Sequence, residues 1–398
     1  MTRIEGSPLR TFPIAFIVLL SLGACTVGHE AEVINREYEV PLSVDDGWEV
    51  ASVSSVGMHQ EPLEEMLAHL KTLGDHRIHS ILIVKDGKLV FEKYYQGRKF
   101  NLAEYTGGTG YDMNDLHVLC SATKSVTSAL LGIAIDQGQV QSVDQKVFDF
   151  FPEYSSLVQS SPQKGTMTIR HLLTMMSGLQ WDDESLPYSD YRNDLHAMFG
   201  SNDPIGYVLA KPLDYTPGTV FDYDNCNTNV IGEIIHKASE EPLDRFAQRY
   251  LFNKMGITQA EWQYFRNGVV FCSGDLHLRP RDMAKFGLLF LNGGEWNGEQ
   301  LISKSWCEVS TARHVTPLNY TPEFPWAQGY GYQWWQKVYS VAGGTWESYF
   351  ASGWGGQNII VFPSLNTVIV TTAGNWYDPE VISPFSLVTD YILPSIVH

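Results

Sequence analysis

Two apolar runs flank Asp86-Gly87 in the stretch "IHSILIVKDGKLVFEKYYQG". An Asp-Gly pair between extended apolar segments predicts a β-hairpin. Just upstream, Pro62 to Leu70 ("PLEEMLAHL") repeats with helical period. From about 111 to 300 the periodicity is mostly helical. In "CSATKSVTSALLGIAIDQG" (120–138), Ala129, Leu130, Ile133 and Ala134 form one apolar face, and Leu131 and Ile135 make the other face apolar too. That pattern predicts a buried helix, stopped by Gly138. Thr168 before "IRHLLTMM" and Pro280-Arg281-Asp282 before "MAKFGLLFL" are helix-start signals. Strand character returns in "QNIIVFP" and "TVIVTTAG", separated by a turn at Asn366. Sheet segments at both ends and helices between them predict an α+β fold, with a helical lobe inserted into a sheet lobe. A cleft between the lobes is the natural place for a site.

The first 25 residues change the picture of where the chain works. Arg3 and Arg10 precede an apolar run from Phe12 to Leu22, too short to span a bilayer comfortably and suited to a signal-peptide core. Leu22-Gly23-Ala24-Cys25 resembles the bacterial lipobox, which implies removal of residues 1–24 and lipidation of Cys25. Thr26 in place of Asp implies the periplasmic face of the outer membrane. Residues 25–50 are then expected to be a tether, and 51–395 the folded body. The formal charge of −18, from 27 basic and 45 acidic residues, argues against a nucleic-acid or anionic-lipid surface. With 398 residues and 13% aromatics, the chain has enough for two packed lobes. Cys120, Cys226, Cys272 and Cys307 allow three disulfide connectivities in an oxidising compartment, or serve as small buried hydrophobes.

Candidate chemistry begins at Ser121 and Lys124, one helical turn apart. A desolvated lysine loses its proton more readily and can then accept one from a serine hydroxyl. Such a match is weak by itself, and Ser161-Pro162-Gln163-Lys164 repeats it in what reads as a loop. Ser121 differs because it opens the buried helix, where backbone N–H groups favour developing negative charge. A partner follows in "TPGTVFDYDNCNTNVIGEIIHKASEEPL": a Pro-Gly turn, then Tyr223-Asp224-Asn225, then an apolar helix. A tyrosine near a lysinium is suited to shuttle protons. Tyr191-Arg192-Asn193 has the same spacing, in a polar stretch with no anchoring helix expected.

The order of these motifs resembles one superfamily. Ser121-x-x-Lys124, "TIRHLLTMMSGL", the Tyr223-x-Asn225 loop, "RPRDMAKFGLLFLNGG", "GYGYQWW" and "SGWGGQNIIVFP" are similar to the serine β-lactamase and penicillin-binding superfamily. The resemblance is to its class C-like branch, with D-aminopeptidases, family VIII esterases and 6-aminohexanoate-dimer hydrolases. It covers about residues 50 to 395. It implies an α/β sandwich of the β-lactamase/transpeptidase type, with an antiparallel sheet lobe (about 51–110 and 301–395) and an inserted helical lobe (about 111–300). It also implies a Ser121 nucleophile, Lys124 and Tyr223 as proton carriers, and Asn225 as a lysine or substrate contact. No cofactor, metal or nucleic acid is implied, and the implied substrate is a small ester, amide or peptide-like molecule.

The third motif departs from that pattern. Relatives acting on penicillins usually carry a basic residue on the strand lining the cleft, whereas here the match is Ala351-Ser352-Gly353. Main-chain donors need no particular side chain, so an oxyanion hole from the N–H of Ser121 and a strand N–H near Trp354 remains expected. Ser352, Gly353 and Trp354 are thus the candidate strand residues. The missing basic side chain argues against strong β-lactamase or transpeptidase activity, and Trp354, Trp334, Trp335 and Tyr330, core residues by default, otherwise suggest a cleft for an apolar or linear substrate. No HExxH, Walker or G-x-S-x-G motif appears, and Gly107-Gly108-Thr109-Gly110 reads as a turn. The expected activity is ester or amide cleavage through an acyl-enzyme. The rivals are a β-lactamase or D,D-peptidase, and a non-catalytic cell-wall binder.

Overall fold

The computed structural model describes residues 37–101, 104–183, 185–316, 327–376 and 381–397. Cys25 and the apolar run before it lie outside the described residues. The main element is a seven-stranded antiparallel sheet built from both ends of the chain: β1 (Ile78–Lys85) and β2 (Lys88–Tyr94), then β3 (Gly329–Tyr330), β4 (Trp335–Val341), β5 (Gly344–Gly353), β6 (Gln357–Phe362) and β7 (Thr367–Ala373). Their spatial order is β3-β4-β5-β6-β7-β1-β2. The N-terminal hairpin therefore adds to the edge of the C-terminal meander through β1 and β7, paired from Ile78–Ala373 to Lys85–Thr367. Asp86 and Gly87 both take positive φ (52° and 78°), as a two-residue hairpin turn with right-handed strand twist requires.

Strands β1, β6 and β7 are apolar on both faces because both faces are covered. Leu82, Val84, Ile359, Val361, Val368 and Val370 pack in one core with the central helices. Those helices include α2 (Thr123–Asp136), α4 (Cys226–Ser239) and α5 (Pro280–Leu291). Ile81, Ile83, Ile360 and Ile369, one residue out of phase, pack in a second core with α1 (Glu61–Leu73) and the C-terminal helical segment around Leu387–Leu393. The period of two in side-chain direction thus sorts one strand sequence into two cores. The result is a helix–sheet–helix sandwich, the architecture that the motif resemblance implies.

The predicted hairpin, the helix expected over Pro62–Leu70 (observed Glu61–Leu73), the Asn366 turn and the Pro280 helix start are all present. Thr168 caps its helix with a reciprocal capping box to His171. Three local expectations are corrected. Residues 37–50 form no free tether. Tyr38 donates its hydroxyl to Val90 O (3.0 Å), Trp48 is buried, and Val50 bridges Leu89 along the sheet. Gly107 to Thr109 lie within the strand Glu104–Thr109, where pairing with Arg98–Asn101 overrides the turn preference of glycine. A short helix, α3 (Asp194–Gly200), does follow Tyr191-Arg192-Asn193, with Asn193 as its N-cap. Cys120, Cys226, Cys272 and Cys307 are all buried free thiols.

The N-terminal strap, the hairpin and α5 meet at Arg281, whose side chain is 3% exposed. Its guanidinium donates to Glu92 (2.9 Å), Asp46 (2.8 Å) and Leu42 O (2.8 Å). A fork shared by two carboxylates and a carbonyl suits arginine and not lysine. Removing it leaves the largely buried Glu92 carboxylate without its cationic partner. Arg281→Ala is expected to cost about 3–5 kcal/mol, read as a lower urea midpoint, with Arg281→Lys restoring only part. An unchanged midpoint in Arg281→Ala would show that the Arg281 contacts contribute no stability.

Candidate active site

The chain reaches Ser121 from a short pairing, His117–Val118 against Leu276–Leu278, continued by Leu119 N–H to Leu276 O (2.8 Å). It must then reverse into α2 within a residue or two. Cys120 takes the strain, with φ +46°, a left-handed value that a non-glycine residue adopts at a cost. A 3₁₀ turn, Cys120–Ala122, leads into α2, so Ser121 sits just before the helix proper. Its side chain lines a cavity, whereas Lys124, one turn on, is 1% exposed.

Lys124 Nζ lies 3.0 Å from Ser121 Oγ, 2.6 Å from Asn225 Oδ1 and 2.8 Å from Ser273 O. Two of these partners only accept. A neutral amine has two N–H groups and one lone pair, so Asn225 and Ser273 take the hydrogens and the lone pair faces the Ser121 hydroxyl. Burial pushes the lysine down to about 8, against the opposing pull of Asp183 and Asp224. Tyr223 closes the other side: its ring centroid is 5.1 Å from Lys124 Nζ and packs against Trp335 (5.3 Å) and Tyr330 (6.2 Å). The structure therefore brings Ser121, Lys124, Tyr223 and Asn225 together.

Three further residues set this geometry, and sequence reasoning missed them. Asp183 is buried and accepts from Trp181 Nε1 (2.7 Å) and Asn225 Nδ2 (2.8 Å). A carboxylate on the NH₂ side of Asn225 fixes which way that amide points, so its oxygen faces the lysine. Burial holds the Asp183 carboxyl above its ordinary range, and pushes Asp224 up to about 7. Asn229, one turn into α4, donates to Asn225 O (2.7 Å) and Ser273 Oγ (3.0 Å), and accepts from Cys272 N–H (3.0 Å). One amide thus ties together the two residues whose other oxygens accept from the lysine. Thr127 on α2 donates to Cys272 O (2.8 Å), tying the Ser273 segment to the lysine helix. Asp183 follows Asp182 in "WDDES", and nothing local distinguishes the two acids.

The strand candidates separate. Gly353 ends β5 against the Ser121 turn: a Cβ there would lie 2.0 Å from Leu119 O, so only glycine permits the approach. Trp354, the next residue, lines the same cavity as Ser121. Ser352 points to the sheet, donating to Asn358 Oδ1 (2.8 Å) directly across the ladder, and Ala351 is buried among the core helices. Tyr330, Trp334 and Trp335, expected to shape a cleft, are core residues at 3% exposure or less. The decoy Ser161-Lys164 pair sits in a 3₁₀ turn, where Lys164 Nζ donates to Leu209 O (2.6 Å).

The cavity beside Ser121 has a volume of about 230 Å³. Its walls include Leu195 and Phe199 from α3, Phe271, Gln263, Tyr188 and Trp354. With a nucleophile candidate at its floor and a lysine poised near neutrality behind it, the arrangement can deprotonate a serine hydroxyl toward a bound electrophile.

The Beta-lactamase family model matches residues 67–382. A curated relative, 6-aminohexanoate-dimer hydrolase of Paenarthrobacter ureafaciens, is 27% identical over 291 residues, covering 70% of this chain and 71% of that protein. Among solved structures, a family VIII carboxylesterase superposes with a TM-score of 0.62 at 14% identity, covering 84% of this chain and 97% of that one. An octameric penicillin-binding protein homologue from Pyrococcus abyssi gives 0.60 at 18% identity, covering 84% and 77%. At such identities the solved structures speak for the fold.

The lysine can be read directly. In a ¹³C-lysine NMR titration, Lys124 is expected to lose its proton near pH 8, against an ordinary 10.5. Asp183→Asn keeps an acceptor for Asn225 but removes a charge that favours the ammonium, so its midpoint is expected lower still. A midpoint near 10, or an upward move in Asp183→Asn, would refute the electrostatic assignment.

Proposed function

This chain belongs to the Beta-lactamase family, and from that premise we propose that it is a serine hydrolase cleaving an ester or amide bond through an acyl-enzyme on Ser121. The observation that carries the reading is the lysine amine held by Asn225 and Ser273 with its third direction on Ser121 Oγ. Neutral Lys124 takes the Ser121 proton as Oγ attacks the carbonyl carbon. The N–H groups of Ser121 and Trp354 receive the oxyanion. As the tetrahedral intermediate collapses, the bond to the leaving group breaks. Tyr223 protonates the departing oxygen or nitrogen and is reprotonated by the lysinium. Water then attacks the acyl carbon, gives one proton to the Tyr223–Lys124 pair, and Ser121 leaves with a proton restored.

The relatives support the ester and amide classes: one is named for cleaving a dimer of an amino acid, another is a carboxylesterase. The cleft strand carries Ala351 where β-lactam-acting relatives carry a basic residue, so no side chain there pairs a substrate carboxylate. That disfavours a penicillin or peptide C-terminus. The acid–base apparatus, buried at the cost of desolvation, is more than a non-catalytic binder needs.

Incubation with p-nitrophenyl butyrate is expected to give a burst of p-nitrophenol and an acyl adduct on the intact protein. Ser121→Ala should lose both, and Lys124→Ala should slow acylation by roughly 10²–10⁴-fold. Ser161→Ala should behave as wild type. Equal rates and no adduct in all forms would remove the hydrolase reading.

We also propose export and anchoring through Cys25, on the strength of Leu22-Gly23-Ala24-Cys25 after a short apolar run. Labelled palmitate is expected to enter the full-length chain in a bacterial host and be lost in Cys25→Ala. Equal labelling of the two would discard the anchor.

A further inference from the structure

The cavity beside Ser121 has a chemical bias that the catalytic residues do not require. Leu195, Phe199 and Phe271 form an apolar wall, with Phe199 and Phe271 in edge contact (4.8 Å between centroids) and Phe265 behind them. Tyr188 and Trp354 meet at 6.1 Å on another side. Among the described residues lining it there is no Asp, Glu, Lys or Arg. Lys124, Asp183 and Asp224 are buried and do not line it. His196 is the one imidazole of the lining, on an exposed residue, with Nδ1 3.0 Å from Tyr188 O. Gln263 also lines the cavity, and its Oε1 is buried with no hydrogen-bond partner.

Which half of the substrate enters follows from proton delivery. The leaving group must sit at its acid, Tyr223. That ring packs toward Trp335 and Tyr330, on residues that do not line the cavity. The cavity is therefore on the acyl side of Ser121.

We propose, building on the serine-hydrolase reading, that this cavity is the acyl subsite and that it selects esters or amides of uncharged, largely apolar carboxylic acids. A charge on the acyl group would be stripped of water against Phe199, Phe271 and Leu195 with no Asp, Glu, Lys or Arg among the described lining residues to pair it. An uncharged donor is accommodated, because Gln263 Oε1 offers an acceptor otherwise left unpaired. Phe199 and Phe271 bound the acyl chain, and Gln263 is the position at which its charge preference is set.

The test uses one leaving group throughout. The p-nitrophenyl esters of hexanoic acid, of adipic acid (one carboxylate left free) and of 6-(trimethylammonio)hexanoic acid are compared by kcat/KM and by acyl mass on Ser121, with the decanoate ester run beside hexanoate as a length probe. Hexanoate is expected to exceed both charged esters by on the order of 100-fold or more. Gln263→Glu is expected to narrow the gap for the trimethylammonio ester alone, and Phe199→Ala to move the preferred chain length upward from hexanoate toward decanoate. Rates within a few-fold for all three esters would overturn the inference while leaving the hydrolase intact. So would a gap and a length preference unmoved in both variants, which would put the acyl chain elsewhere. Failure of every ester to acylate Ser121 would bring down the hydrolase reading, and this inference with it.

Discussion

The constraint on which the site depends is the burial of one amine. Lys124 is removed from water yet fully bonded, and its partners come from distant parts of the chain: Ser121 from its own turn, Asn225 from the start of α4, Ser273 from the segment before the Leu276–Leu278 strand. Burying an ammonium without acceptors would be prohibitive, and burying it with them leaves a group balanced between charge states. The helices around it are therefore arranged for this contact as much as for apolar packing. Thr127 and Thr123 on α2 both bond the 272–276 segment, through Cys272 O and Leu276 N–H. Asn229 bridges the residues that supply the two acceptors, through Asn225 O and Ser273 Oγ.

Opposing electrostatic influences decide how useful that amine is. Burial lowers the lysine, while Asp183 and Asp224 raise it, and the outcome near 8 leaves a fraction neutral at moderate pH. Those carboxyls are displaced upward by their own burial. A unit charge a few ångströms away is worth about 4 kcal/mol at an effective dielectric of 20, so small differences in solvation decide which group holds a proton. Asp183 also acts through geometry: its carboxylate accepts from the Asn225 amide nitrogen, so that an acceptor, and not a donor, meets the lysine.

The sheet contributes precision of a different kind. Strand β5 brings Gly353 against Leu119, an approach that a single added carbon would prevent. The Ser121 turn and the end of the sheet are thereby held as one unit, with Trp354 beside the serine at the cavity wall. The strain at Cys120 belongs to the same device, since the chain must leave a β pairing and enter a helix almost at once.

Local sequence determined much of this protein. The two-residue turn at Asp86-Gly87, the Thr168 cap, the all-round apolar α2 and the Ser121–Lys124 spacing follow from short-range geometry, which sequence periodicity records directly. The motif order named the superfamily for the same reason, because each motif is a local solution to a local need. Tertiary structure alone decided the rest. It chose Asp183 over Asp182, made Asn229 a support of the lysine cage, turned Ser352 away to Asn358, and buried Tyr330, Trp334 and Trp335 where a cleft had been expected. It also drew residues 37–50 onto the sheet through Arg281. Each of these depends on which segments meet across tens to hundreds of residues, and hydrogen-bond direction and desolvation are properties of that meeting, not of the residue types that enter it.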